Sequence, residues 1–118
     1  MMKISQGQFA LVGRDEYADV YAGGRVSVSS GGEATVRRDG VANVRSRGFA
    51  AVHRKGRAIV HEGGKVEVYE GGNALILEGG EAEVHAGGEA LVYAGGKAKL
   101  HPGGKAYVLE EGAEITCV

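Results

Sequence analysis

The sequence predicts an all-β fold, a single-chain parallel β-solenoid, and three regularities support this prediction. Glycine recurs every eight residues from Gly24 to Gly112, which is internal repetition of the kind that builds stacked arrays. A small apolar residue stands two places after these glycines and an aliphatic residue four places after, as far as Val108. Apolar positions two apart indicate strands, because successive strand side chains point to opposite faces. One octad cannot bury its own alanine and valine, so the octads must stack.

The outward slots predict how many octads form one coil. The third residue after each glycine alternates between apolar and charged along Ile59, Glu67, Leu75, Glu83, Leu91, Lys99 and Tyr107. The true period is therefore sixteen residues, with two octads per coil and two parallel sheets face to face. A triangular coil of three octads is the alternative, and it would scatter the apolar residues over three faces.

The repeats extend along almost the whole chain, and we expect one domain over residues 1–118. Regular repeats cover 18–111, and less regular octads precede them at Met2/Ile4 and Ala10/Val12. Fourteen in-phase octads make about seven coils, or a rod core about 33 Å long at ~4.8 Å per stacked strand. We expect a register break and a cap at 112–118, where a one-residue shift would turn Ala113 and Ile115 inward.

Charge is distributed unevenly along the predicted rod. Residues 1–58 hold ten Lys and Arg against five Asp and Glu, a net +5, whereas residues 59–118 hold four against ten, a net −6. Eight basic residues, which we call the basic collar, are candidate polyanion contacts: Arg25, Arg37, Arg38, Arg45, Arg47, Arg54, Lys55 and Arg57. Binding by charge alone is steeply salt-dependent. The near-neutral whole chain and the several directions of these side chains disfavour nucleic acid as the partner.

The strongest local signal is an apolar outer surface. With sixteen residues per coil, one sheet collects seven outward apolar residues, which we call the apolar face: Ile59, Leu75, Leu77, Leu91, Tyr93, Tyr107 and Leu109. Sheet faces that meet water normally carry polar residues. We expect this face to be an interface, with a homodimer favoured over a different protein partner.

All four histidines stand five places after a glycine slot. His53, Tyr69, His85, His101 and Cys117 are expected to form one column on the sheet opposite the apolar face. Stacked imidazoles have the right donors for a metal, but such a column is more often a surface ladder, and we predict no metal site and no cofactor. We also predict no catalytic residues and no enzyme, because carboxylates on a convex sheet lack a pocket.

Cellular location is suggested only by what the sequence lacks. No apolar run approaches the ~18 residues of a membrane span, and the chain starts without a signal-peptide pattern. One cysteine rules out an internal disulfide framework. We expect a cytoplasmic protein with no membrane partner, or a virion-associated one if a phage encodes it.

The Gly-x-Ala-x-Val-x-x-Gly frame resembles the octapeptide-repeat β-solenoid proteins of bacteria and phages. It is also similar to the RTX calcium rolls, but an aliphatic such as Val84 replaces the calcium-binding aspartate, so calcium should not be needed. A third resemblance is to the octad-built needles of contractile phage tails. Their glycine follows valine by two places, whereas here Val84 is followed by Gly87 and Gly88, which argues against an intertwined trimer.

These observations predict a non-enzymatic structural or interaction module that self-associates through the apolar face. Three alternatives stay open. The first is a phage-encoded inhibitor or decoy that binds a host protein through its acidic half, including Glu67, Glu81 and Glu83. The second is a phage spike or needle segment, and the third is a nucleic-acid binder that acts through its basic half.

Overall fold

A computed structural model describes residues 2–117, which form fifteen short strands in two parallel sheets. The odd sheet contains, in spatial order, β1 (Met2–Ile4), β3 (Tyr17–Val20), β5 (Glu33–Val36), β7 (Phe49–Val52), β9 (Lys65–Val68), β11 (Glu81–Val84), β13 (Lys97–Leu100) and β15 (Glu114–Cys117). The even sheet contains β2 (Phe9–Val12), β4 (Arg25–Val28), β6 (Val41–Val44), β8 (Arg57–Val60), β10 (Asn73–Ile76), β12 (Glu89–Val92) and β14 (Lys105–Val108). No helix interrupts the strands over residues 2–117.

Strand pairing confirms the predicted coil of two octads. From β1 to β14 the paired strands are parallel and sixteen residues apart, as Ala74 is from Ala58 and from Ala90. Consecutive strands lie in opposite sheets, so the triangular alternative is wrong. The result is a β-solenoid of about seven turns with a longest dimension of 35 Å.

The core is the space between the two sheets. The second and fourth residues of almost every strand point into it, and most of their side chains are fully buried, as in Val60, Val68 and Ile76. Alanine at the second place and valine at the fourth keep the two sheets close and evenly spaced. Within residues 2–117, β14 is the last strand of the even sheet, and its inward Val108 is 53% exposed.

The repeated Gly-Gly corner contains two glycines with different roles. In the turn from Tyr69 to Gly72 the Gly72 nitrogen donates to the Tyr69 carbonyl, and Gly71 has a φ of 78°. A positive φ at the third turn residue is what a type II turn requires. The every-eighth glycines from Gly24 to Gly104 do not have a positive φ; they are required by close approach, because a Cβ on Gly72 would lie 2.8 Å from the Val52 carbonyl oxygen.

The start of the glycine column follows from this close approach. Gly24 is the first of these glycines, and a Cβ there would lie 2.4 Å from the carbonyl oxygen of Ile4 in the coil below. The equivalent positions in the first described coil are Gln8 and Glu16, and no other described coil lies beneath them. Their side chains instead accept hydrogen bonds from the backbone nitrogens of Ser5 and Gly13.

The register changes at the last corner, which holds one extra residue. Ile115 pairs with Ala98, seventeen residues away, and Gly112 takes the positive φ that the preceding position has elsewhere. As the sequence predicts, Ala113 and Ile115 turn inward and pack against the core. The shift does not end strand pairing, because β15 still pairs with β13 over four residues.

Candidate interaction surfaces

The apolar face lies on the outer surface of the even sheet, as predicted. Ile59, Leu75, Leu91 and Tyr107 occupy directly paired positions on β8, β10, β12 and β14, so their side chains form one continuous column. The second column consists of His61, Leu77, Tyr93 and Leu109, which stand just after the same four strands. Leu91, Tyr107 and Leu109 are exposed, and the other apolar residues of the face are half-buried against their neighbours.

His61 is the polar member of these two columns, and its surroundings favour the neutral form of the imidazole. Burial, and then the positive charge of Arg45, lowers the pKa of His61. Its Nε2 atom is buried and has no hydrogen-bond partner within residues 2–117. An uncharged imidazole in this position extends the apolar character of the face to its edge.

Two further apolar residues of this sheet were missed by the sequence reasoning. Phe9 and Leu11 point outward from β2 and are 63% and 71% exposed, at the opposite end of the sheet from the apolar face. The third-slot pattern that identified Ile59 applies equally to Leu11 and would have found it. Ser27 and Asn43 separate Leu11 from Ile59 in the same column, so the two apolar regions are not continuous.

The basic collar is divided among several surfaces, as predicted. Arg25 and Arg57 start β4 and β8, and Arg45 follows β6, so these three lie on the even sheet. Arg38, Arg54 and Lys55 lie at the corners that follow odd strands, and Arg47 lies at a corner that follows an even strand. The corner residues Arg47 and Lys55 have positive φ values of 65° and 64°.

Arg37 belongs to a polar cluster and is not a free cation. Its guanidinium lies 3.4 Å from the carboxylate of Asp19 and 5.7 Å from the ring centre of Tyr21. Asp19 and Thr35 are both buried although they point outward from the odd sheet, and the Tyr17 hydroxyl is hydrogen-bonded to Thr35. We therefore assign Arg37 a structural role in addition to its charge.

The opposite, odd sheet carries a ladder of four stacked rings. The ring centres of His53, Tyr69, His85 and His101 are separated by 5.1, 4.8 and 4.5 Å, and neighbouring rings are within 8° of parallel. We call this the ring ladder. Burial, and then the carboxylate of Glu67, raises the pKa of Tyr69.

Two carboxylates contact the ring ladder from the neighbouring column. Nε2 of His85 lies 3.2 Å from Oε1 of Glu67, and Nε2 of His101 lies 2.6 Å from Oε1 of Glu83. Each pair joins residues eighteen apart, which is one coil plus the two-residue step between the columns. The hydrogen bond with His101 lowers the pKa of Glu83.

The expectation that Cys117 extends this ladder is wrong. The extra residue in the last corner moves the chain by one place, so Cys117 pairs with Leu100 and not with His101. Its thiol is free and exposed. The sequence reasoning predicted the shift but placed Cys117 as if the shift were absent.

Comparisons with known proteins add little to this geometry. No family model matches the chain, and no curated protein matches it. Among solved structures, a hyper-glycosylated TibA fragment, glycosylated by TibC, is 16% identical and the match covers 99% of this chain and 91% of that one, with a TM-score of 0.19. In the described part of the chain no helix is long and apolar enough to cross a membrane.

Proposed function

We propose that this β-solenoid is a rigid, non-enzymatic interaction module that pairs with a second copy through the apolar face. The observation that supports the proposal best is the unbroken column Ile59, Leu75, Leu91 and Tyr107 on the outside of a parallel sheet. Strand propensity alone does not require this, because on the opposite sheet the equivalent column reads Glu67, Glu83 and Lys99.

Size argues for a weak dimer. The seven residues of the apolar face cover a few hundred Å², which is at the upper end of what soluble monomers expose. Two such faces would bury about 800 Å² together, below the ~1,200 Å² of a standard stable interface. A polar rim must supply the remainder, so we expect a dimer with a dissociation constant on the order of micromolar.

Charge favours an antiparallel pair. If a two-fold axis runs along the strand direction between Leu75 and Leu91, each basic half projects past the acidic C-terminal end of the other copy. Arg45 of one copy then lies near Glu110 of the other. Lys105 faces Arg57 in this arrangement and offsets part of the gain.

The test is solution mass by light scattering after size exclusion, over a range of protein concentrations and at low and high salt. The variant is Leu91→Lys, which places a charge at the centre of the apolar face. The matched control is Ala51→Lys, which makes an apolar-to-lysine change at the same outward slot of the odd sheet. Circular dichroism confirms that each variant keeps its strands.

We expect a dimer for wild type and for Ala51→Lys and a folded monomer for Leu91→Lys. Dimerisation that weakens as salt rises supports the antiparallel arrangement, because exposed ion pairs are screened. A dimer that is insensitive to salt contradicts that arrangement but leaves the interface in place. Monomeric wild type at high concentration contradicts self-association, and a trimer contradicts the proposed dimer in favour of a spike or needle segment.

A further inference from the structure

The ring ladder contains a group of possible metal-ligating atoms, and pairing through the apolar face does not account for them. The three side chains of Glu83, His85 and His101 each place a potential metal-ligating atom within 4.8 Å of the other two. They lie on β11 and just after β11 and β13, on the sheet opposite the proposed dimer interface. We propose that these three residues form a site for one divalent transition-metal ion, with zinc as its natural probe.

The donor set fits such an ion. Two imidazole nitrogens and one carboxylate oxygen are borderline ligands that suit zinc, whereas calcium and magnesium prefer oxygen alone. All three side chains are half-buried, so a water molecule has room to take a fourth position. Three protein ligands with one open position is a common arrangement for zinc.

The orientation of the rings supports the assignment. Nε2 of His85 and Nε2 of His101 each approach a glutamate carboxylate of the neighbouring column, so both ring edges point to the same side of the ladder. Glu83 contacts His101 and lies two residues before His85, which stands just after the end of β11. An ion between the columns would therefore meet all three donors from one direction.

The required movement is small. Tetrahedral zinc with bonds of about 2.0 Å separates its ligand atoms by about 3.3 Å. The donors of Glu83 and His101, which are 2.6 Å apart, must therefore open by ~0.7 Å, and the widest of the other separations, at most 4.8 Å, must close by up to ~1.5 Å. We expect rotation of the His85 and His101 side chains out of their parallel stack to provide these changes. Glu67 adds a nearby negative charge, and Lys99, which pairs with Glu83 across the strands, opposes the ion.

The experiment is calorimetric titration of the full chain with zinc chloride. The same titration is run on Cys117→Ser, because an exposed thiol is itself a zinc ligand. His101→Asn and Glu83→Gln each remove one proposed donor. His53→Asn, at the far side of Tyr69 in the ladder, and Glu81→Gln, on the same strand as Glu83, are the matched controls.

We expect one zinc ion per chain, also in Cys117→Ser, and thermal unfolding that shifts upward with zinc, since a ligand of the native state stabilises it. Loss of His101 or Glu83 should weaken binding by more than the ~10–100-fold that loss of an outer-shell partner causes. Controls should bind as wild type does. No saturable binding, or equal weakening by His53→Asn, overturns the site. If His101→Asn fails to fold, the isosteric Glu83→Gln decides alone.

Discussion

The corners of the two halves of the solenoid differ, although the core between the sheets is the same. In residues 2–58 the third turn residue is Asp15, Asp39, Arg47 or Lys55 at four corners, each with a φ between 62° and 65°. In residues 59–117 glycine takes this conformation at every described corner. A left-handed conformation costs a side-chain-bearing residue about 1–2 kcal/mol, and short aspartate tolerates it better than arginine or lysine does.

In the basic half, four corners therefore place a charged residue in a strained backbone conformation. Arg47 and Lys55 have no short side chain that bonds locally, so their conformation is supported by the ladder of backbone hydrogen bonds along the corner, such as Lys55 nitrogen to Gly71 oxygen. Strained positions of this kind cluster at functional sites. Of the basic collar, these two residues are therefore the best candidates for a polyanion contact.

The largest effect should come from the glycine that both halves share. Gly48→Ala would place a Cβ 2.5 Å from the Val28 carbonyl oxygen, and backbone on both sides prevents relief. We expect a loss of about 3 kcal/mol in the free energy of unfolding, at the upper end of overpacking effects. Chemical denaturation measures it.

The control for this substitution is Gln8→Ala, at the same slot of the first coil. In the described part of the chain no coil lies beneath Gln8, so the change removes only the hydrogen bonds of its side chain with Ser5, worth about 1 kcal/mol. Equal losses for the two variants would contradict the close-approach explanation of the glycine column.

A medium effect should follow from exchanging the two types of corner. Gly71 and Lys55 are neighbours in one column, so Gly71→Lys imposes the basic corner on the next coil. The change should destabilise the fold by about 1–2 kcal/mol, because lysine must take a φ of 78°. Lys55→Gly should stabilise the fold, but by less than Gly71→Lys destabilises it. Glycine also increases the entropy of the unfolded chain, and this lowers the free energy of unfolding by ~0.4–1 kcal/mol. Denaturant midpoints test both, and destabilisation by Lys55→Gly would show that its side chain does more than turn the corner.

Much of this architecture could be predicted because a residue's place in the eight-residue repeat fixes its place in the coil. The alternation of Leu75 and Glu83 gave the coil length, and the poor fit of Glu114 and Thr116 to the core gave the register shift. The same reasoning failed at Cys117, because the column was counted from the original phase and not from the shifted one.

Other features could not be predicted because they depend on neighbours one coil away. The contact between Glu83 and His101 could be predicted only by knowing that side chains of two columns lean toward each other across an eighteen-residue step. Likewise, nothing in the local sequence of Asp19 indicates its burial beside Thr35 and Arg37, which lie one coil further along the chain. Position in the coil was predictable, and side-chain direction within a face was not.

The smallest effect should be the pH dependence that His61 contributes on the apolar face. Since burial and Arg45 lower the pKa of His61 in the folded protein, the unfolded chain binds this proton more readily. The free energy of unfolding should therefore fall as pH drops below about 6.5, the ordinary value for histidine. Between pH 7.5 and 5.5 Glu83 does not interfere, because its lowered pKa affects stability only below the ordinary carboxyl range.

Denaturation of His61→Leu at the two pH values should show a smaller loss of the free energy of unfolding than wild type, and Arg45→Gln should lie between them. An unchanged pH dependence in His61→Leu would mean that the imidazole is hydrated and that the edge of the apolar face is more polar than its burial indicates.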